Sequence, residues 1–125
     1  MLTALLLAAS LVSQYRPSWY GLGASTVSSG ADHETVSVIG AYGTFHAVKL
    51  TVQRSKVQFI RVVLHFQNGD QREVRLNALV PAGGETKSIH LKGDEKAIRR
   101  VEFWYDANSV SRNGAVIQLL GRTYP

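Results

Sequence analysis

The sequence predicts an all-β protein: a single antiparallel β-sandwich of about eight strands, with jelly-roll connections as one option. Three observations carry this reading. From Tyr15 onward no run keeps a 3.6-residue apolar period for three turns, apolar and polar residues instead alternate with a period of two, and Gly, Asn and Asp clusters punctuate the alternating runs about every 8 to 12 residues. The 125 residues, 45% hydrophobic and 18% charged, fit one domain and exclude both a disordered tail and a multi-span membrane protein.

Taken in order, Trp19 to Val27 makes a first strand and Glu34 to Ile39 a second. In Phe45 to Val52, Val48, Leu50 and Val52 share one face, His46 extends that row, and Lys49 and Thr51 point oppositely. Val57 to Phe66 places Ile60, Val62, Leu64 and Phe66 in one inward row, and the apolar Phe59 and Val63 on its other face mark a central strand. Asn68-Gly69 supplies the positive φ angles of a tight hairpin, so Gln71 to Leu76 folds back with Val74 and Leu76 inward. Val80 to Gly84 reads as a loop. Lys87 to Leu91 follows as a short strand with Ile89 and Leu91 inward, and Lys92 to Glu95 as a turn. In Ile98 to Tyr105, Val101, Phe103 and Tyr105 face one side and Arg100, Glu102 and Trp104 the other. A loop from Asp106 to Gly114 leads to a last strand, Ala115 to Leu120, with Ile117 and Leu119 inward.

Residues 1–14 are expected to be an export signal and residues 15–125 the domain. Met1 to Ser13 is an uncharged apolar run ended by Arg16-Pro17; at about 13 residues it is too short to span a bilayer, which takes roughly 20. An N-terminal core element is the alternative. The expected localisation is therefore periplasmic or secreted. The chain has no Cys, which removes disulfides, thiolate catalysis, thiolate metal sites and N-terminal lipidation together.

Several segments, taken in order, resemble a known family. They are Phe45 to Val52, Val62 to Gly69, Ala82-Gly83-Gly84-Glu85-Thr86 running on to Gly93, Ala97-Ile98-Arg99-Arg100-Val101-Glu102-Phe103-Trp104-Tyr105, and Ala115 to Arg122. Together they are similar to a family of small exported bacterial β-sandwich proteins described as a domain of unknown function, over about Trp19 to Arg122. The resemblance implies an exported all-β domain and brings no catalytic residues with it.

The chain carries few motifs of catalytic chemistry. No G-x-S-x-G elbow or helix-capped glycine loop is present, so neither acyl transfer nor phosphate cradling has a motif. Asp32-His33-Glu34 alternates its side chains, and His46, His65 and His90 fall on different strands; no metal site and no cofactor is expected. Asp94, Glu95, Glu102 and Asp106 read as turn and solvated-face residues rather than a glycosidase pair. The remaining signal is basic: 14 Lys+Arg against 9 Asp+Glu give a formal charge of +5. Arg99, Arg100, Trp104 and Arg112 are the expected ligand-binding residues, since guanidinium groups beside an indole suit an anionic polymer, a glycan or an envelope protein. Five excess charges without a single stripe set nucleic acid aside. The expected function is thus an exported, non-enzymatic binding or envelope-associated module. A structural subunit pairing through a strand edge is the alternative, and a hydrolase a distant third. Lys and Arg protecting strand edges, with Trp104 covering a core face, is the plainer account of the same residues.

Overall fold

The computed structural model describes residues 19–39, 44–91 and 97–123. The expected export signal lies outside them. Among the described residues eight strands form: β1 (Trp19–Val27), β2 (His33–Ser37), β3 (Ala47–Gln53), β4 (Val57–Phe66), β5 (Gln71–Val80), β6 (Ile89–His90), β7 (Ile98–Asp106) and β8 (Ala115–Arg122), with a single 3-10 turn at Ala107–Ser109. They pair as two four-stranded antiparallel sheets, in the order β1-β8-β3-β6 and β2-β7-β4-β5. Every connection except the β4–β5 hairpin crosses from one sheet to the other, which is jelly-roll order. Among the described residues no helix is long and apolar enough to cross a membrane.

The core lies between the sheets, where the period-two rows meet. Val48, Leu50 and Val52 of β3, Val101, Phe103 and Tyr105 of β7, and Ile117 and Leu119 of β8 are all buried. Phe103 packs edge-on against Phe59 (centroids 5.7 Å) and tilted against Tyr105 (6.0 Å). Each large side chain fully removed from water contributes roughly 1.5–3 kcal/mol before entropy is counted.

In β4 the structure corrects the expected row. Phe59 pairs with Ala78 and Tyr105, and the next pairs are Arg61 with Arg75 and with Trp104; Ile60 is therefore the extra residue against β7, whereas on the β5 side two residues, Leu76 and Asn77 (φ 44°), stand opposite it. The extra residue shifts the alternation, so Val57 and Phe59 point inward before it, Val62, Leu64 and Phe66 point inward after it, and Ile60 is 41% exposed. Val80, expected in a loop, closes β5 and is buried. The hairpin also differs in detail. Gly69 N–H donates to Phe66 O and Phe66 N–H to Asp70 O, with positive φ at Gly69 (92°) but not at Asn68, giving a three-residue loop rather than a two-residue one.

Ala82 to Thr86, the loop quoted in the resemblance, runs along β3. Gly83 N–H donates to Val52 O, Val52 N–H to Gly84 O, and Leu50 N–H to the buried Thr86 hydroxyl, so the loop occupies backbone groups that a short β6 leaves open. At the opposite side β1 and β2 approach so closely that a Cβ on Gly23 would lie 2.2 Å from Ser37 O.

Candidate functional site on the outer face of the second sheet

Strand alternation and register together place the outward side chains of β2, β7, β4 and β5 on a grid. One row across the sheet reads His33, Trp104, Arg61, Arg75; the next Thr35, Glu102, Val63, Glu73; the third Ser37, Arg100, His65, Gln71. The bulge at Ile60 creates this face, because it turns Arg61, Val63 and His65 outward after Phe59 has pointed in. Val63 is 7% exposed, an apolar floor under the charged residues around it.

Glu102 stands between two imidazoles. His33 Nε2 donates to its Oε2 at 2.7 Å, and His65 Nε2 to its Oε1. An ionised carboxylate only accepts, so both histidines carry their proton on Nε2, and the free Nδ1 of His65 receives Arg100 Nη2 at 3.5 Å. Burial pushes the Glu102 carboxyl up, but the hydrogen bonds from His33 and His65 outweigh it and hold its pKa below the ordinary carboxylate value. Trp104 is stacked with His33 (centroids 4.6 Å, planes 27° apart), and the Arg61 guanidinium lies 3.7 Å from its ring centroid. These two neighbours belong to the strands on either side of β7, so both ring faces are in use within the protein. Arg61 also donates to Glu73 at 2.7 Å. Chemically, the face can hold an anion against its guanidinium groups. Among the described residues no group of three acidic, His or Cys side chains converges to hold a metal ion; the two imidazoles are aimed at the carboxylate instead.

Of the sequence-derived residues, Arg100 and Trp104 share this face and Arg99 and Arg112 do not join it. Arg99 is the extra residue where Phe66 pairs with Ile98 and His65 with Arg100, and its side chain is exposed out of the outward row. Arg112 sits in a loop anchored at the other end of the sheet, where Ser111 N–H donates to Ser55 Oγ and Gln58 N–H to Ser109 Oγ. Gln58 pairs with Asp106 and His65 with Arg100, so six strand residues, roughly 20 Å, separate the two ends. Trp104 covers the outer face of its sheet rather than a core face. Glu102 shares the expected outward face of β7 with Arg100 and Trp104, whereas its meeting with His33 and His65, and that of Trp104 with Arg61, come from strand pairing. Arg61 and His65 already fall on the outward side of β4 when Val62, Leu64 and Phe66 are read inward, so the bulge does not hide them; nothing in the sequence ties His33 or His65 to a glutamate 69 and 37 residues away.

The fold is similar to part of AlgX from Pseudomonas aeruginosa, with a TM-score of 0.60 and 13% identity over 84% of this chain; the chain spans 27% of the AlgX chain. A structure from infectious bursal disease virus aligns over 86% of this chain and 32% of its own, at 12% identity and a TM-score of 0.39. The first supports the sandwich fold alone and the second carries no argument. No curated protein matches the sequence. Family membership comes from the sequence itself: residues 1–121 match the model described as "Domain of unknown function (DUF2541)", and the chain belongs to that family.

Proposed function

We propose that the protein is an exported, non-enzymatic binding module whose ligand is an anionic polymer or acidic glycan, received on the outer face of the β2-β7-β4-β5 sheet. The observation that carries this reading is the clustering of Arg61, Arg75 and Arg100 with Trp104 and two histidines on one continuous sheet face. Arg75 is exposed next to Arg61, and like charges directly opposite on a sheet repel, an arrangement an anion between them relieves. Export rests on the apolar run from Met1 to Ser13. The test is retention on immobilised heparin. Arg61→Gln/Arg75→Gln/Arg100→Gln should elute at clearly lower salt while remaining folded by circular dichroism, whereas Arg99→Gln/Arg112→Gln should elute close to wild type. Equal loss in both variants would reduce the interaction to net charge and remove the site.

A second reading, a structural subunit that pairs through a strand edge, rests on β5. This ten-residue strand ends the second sheet, and Leu79 (57% exposed) lies on its outer side near the bulged Ile60. Light scattering decides it: a concentration-dependent dimer abolished by Leu79→Lys supports assembly, and a monomer throughout removes it.

A further inference from the structure

The His33–Glu102–His65 cluster touches the proposed binding face at Arg100, and the bonding pattern couples them. His65 is 6% exposed and has both ring nitrogens in use: Nε2–H donates to Glu102, and Nδ1 accepts from Arg100. A neutral imidazole therefore holds the guanidinium in place. A second proton on His65 can go only to Nδ1. It removes the lone pair that Arg100 uses and sets two positive groups against each other, while Glu102 remains as counter-ion to both histidines.

The groups around the cluster come from all four strands of the sheet. β7 supplies Glu102, Arg100 and Trp104; β4 supplies His65 and Arg61; β2 supplies His33, with Asp32 and Glu34 beside it in the chain; and β5 supplies Glu73, bonded to Arg61, and Arg75. On the grid, three arginines against two glutamates give +1 with neutral histidines and +3 with both protonated. The change falls on the half of the face that holds Arg100.

We propose that this cluster is a proton-operated control on the binding face: protonation of His65 frees Arg100 from the imidazole, and the face then takes a polyanion more strongly in acid than at neutral pH. The inference rests on the anion-binding reading and adds its regulation. Trp104, stacked on His33, supplies a reporter that needs no ligand, because an imidazolium against an indole quenches its fluorescence.

The experiment measures the heparin dissociation constant at fixed ionic strength at pH 8 and pH 5, the interval in which histidine side chains change charge. Wild type should bind about tenfold more tightly at pH 5, the size of effect that one or two added cationic contacts give. His65→Gln keeps a donor for Glu102 but has no second proton to gain, and should change by less than about twofold. Arg100→Gln should bind at pH 5 about as weakly as wild type does at pH 8. His46→Gln and His90→Gln, whose imidazoles lie off this face, should keep the full pH response. In a Trp19→Phe background, Trp104 fluorescence should fall on acidification, and His33→Gln should abolish that fall. If heparin binds and His65→Gln retains the wild-type pH response, the control is overturned and the anion-binding reading stands. Absence of heparin binding at both pH values overturns the two together.

Discussion

Both outer faces of the sandwich bring a tryptophan beneath cationic side chains, and they differ in what surrounds it. On the first sheet, Lys49 Nζ lies 4.1 Å from the Trp19 ring centroid and the Arg122 guanidinium 5.1 Å, among Gly21, Leu120, Gln118 and Thr51. On the second, Arg61 lies over Trp104 and His33 stacks on it, and His33 is linked through Glu102 and His65 to Arg100. A cation over an indole is thus a general cover in this molecule, a way to shield a sheet with a long side chain's stem while its charge stays in water. It marks no site by itself. What distinguishes the second face is a carboxylate shared by two histidines.

One core lies beneath both faces, and truncating it should disturb both at once. Phe103→Ala should cost about 4 kcal/mol in denaturant unfolding, with Trp19 and Trp104 reporting one coincident transition; separate transitions would mean that the faces are independent units. Next in size is Gly23→Ala at the meeting of β1 and β2. Its Cβ would collide with backbone oxygen of Ser37, and relieving that contact by parting the strands should cost about 3 kcal/mol. A stability within experimental error of wild type would show that the edge yields freely.

Gly69→Val is confined to the second sheet. Positive φ at a β-branched residue should cost about 2 kcal/mol and leave the β1–β8–β3 pairing protected from hydrogen exchange. An unchanged melting temperature would sink the hairpin geometry. The smallest effect sharpens the contrast between the faces. Glu102→Gln sets an amide against one of two imidazole donors and should cost about 1 kcal/mol at neutral pH. Because the folded-state pKa of Glu102 is depressed, its contribution is present above the unfolded value of about 4.5 and is lost as pH falls through the folded value. Wild type should therefore lose stability below pH 4.5 more steeply than Glu102→Gln. Parallel acid curves would show that the carboxylate is not held by the histidines.

Much of the fold was legible. The bounds expected for the first and fourth strands, Trp19 to Val27 and Val57 to Phe66, are the ones the structure has, because apolar alternation between turn residues is a local property. Ile60 was misplaced for an equally physical reason: a bulge adds one residue, and a period-two row read straight through it assigns the next residue to the wrong face. Of the four expected residues, two share a face. Arg100 and Trp104 are two apart from Glu102 on one strand, whereas Arg99 falls on a second bulge and Arg112 lies at the far end of the sheet.

The all-β class, the position of each strand and most of the inward rows are written in the local pattern of the chain, since each depends on residues near one another in it. Which strands lie side by side is settled by the folded whole. His33 meets Glu102 because β2 pairs with β7, and His65 meets it because β4 pairs with β7 on the other side. Those registers are set by long-range closure of the two sheets over a common core, and periodicity within a strand carries no information about its partner.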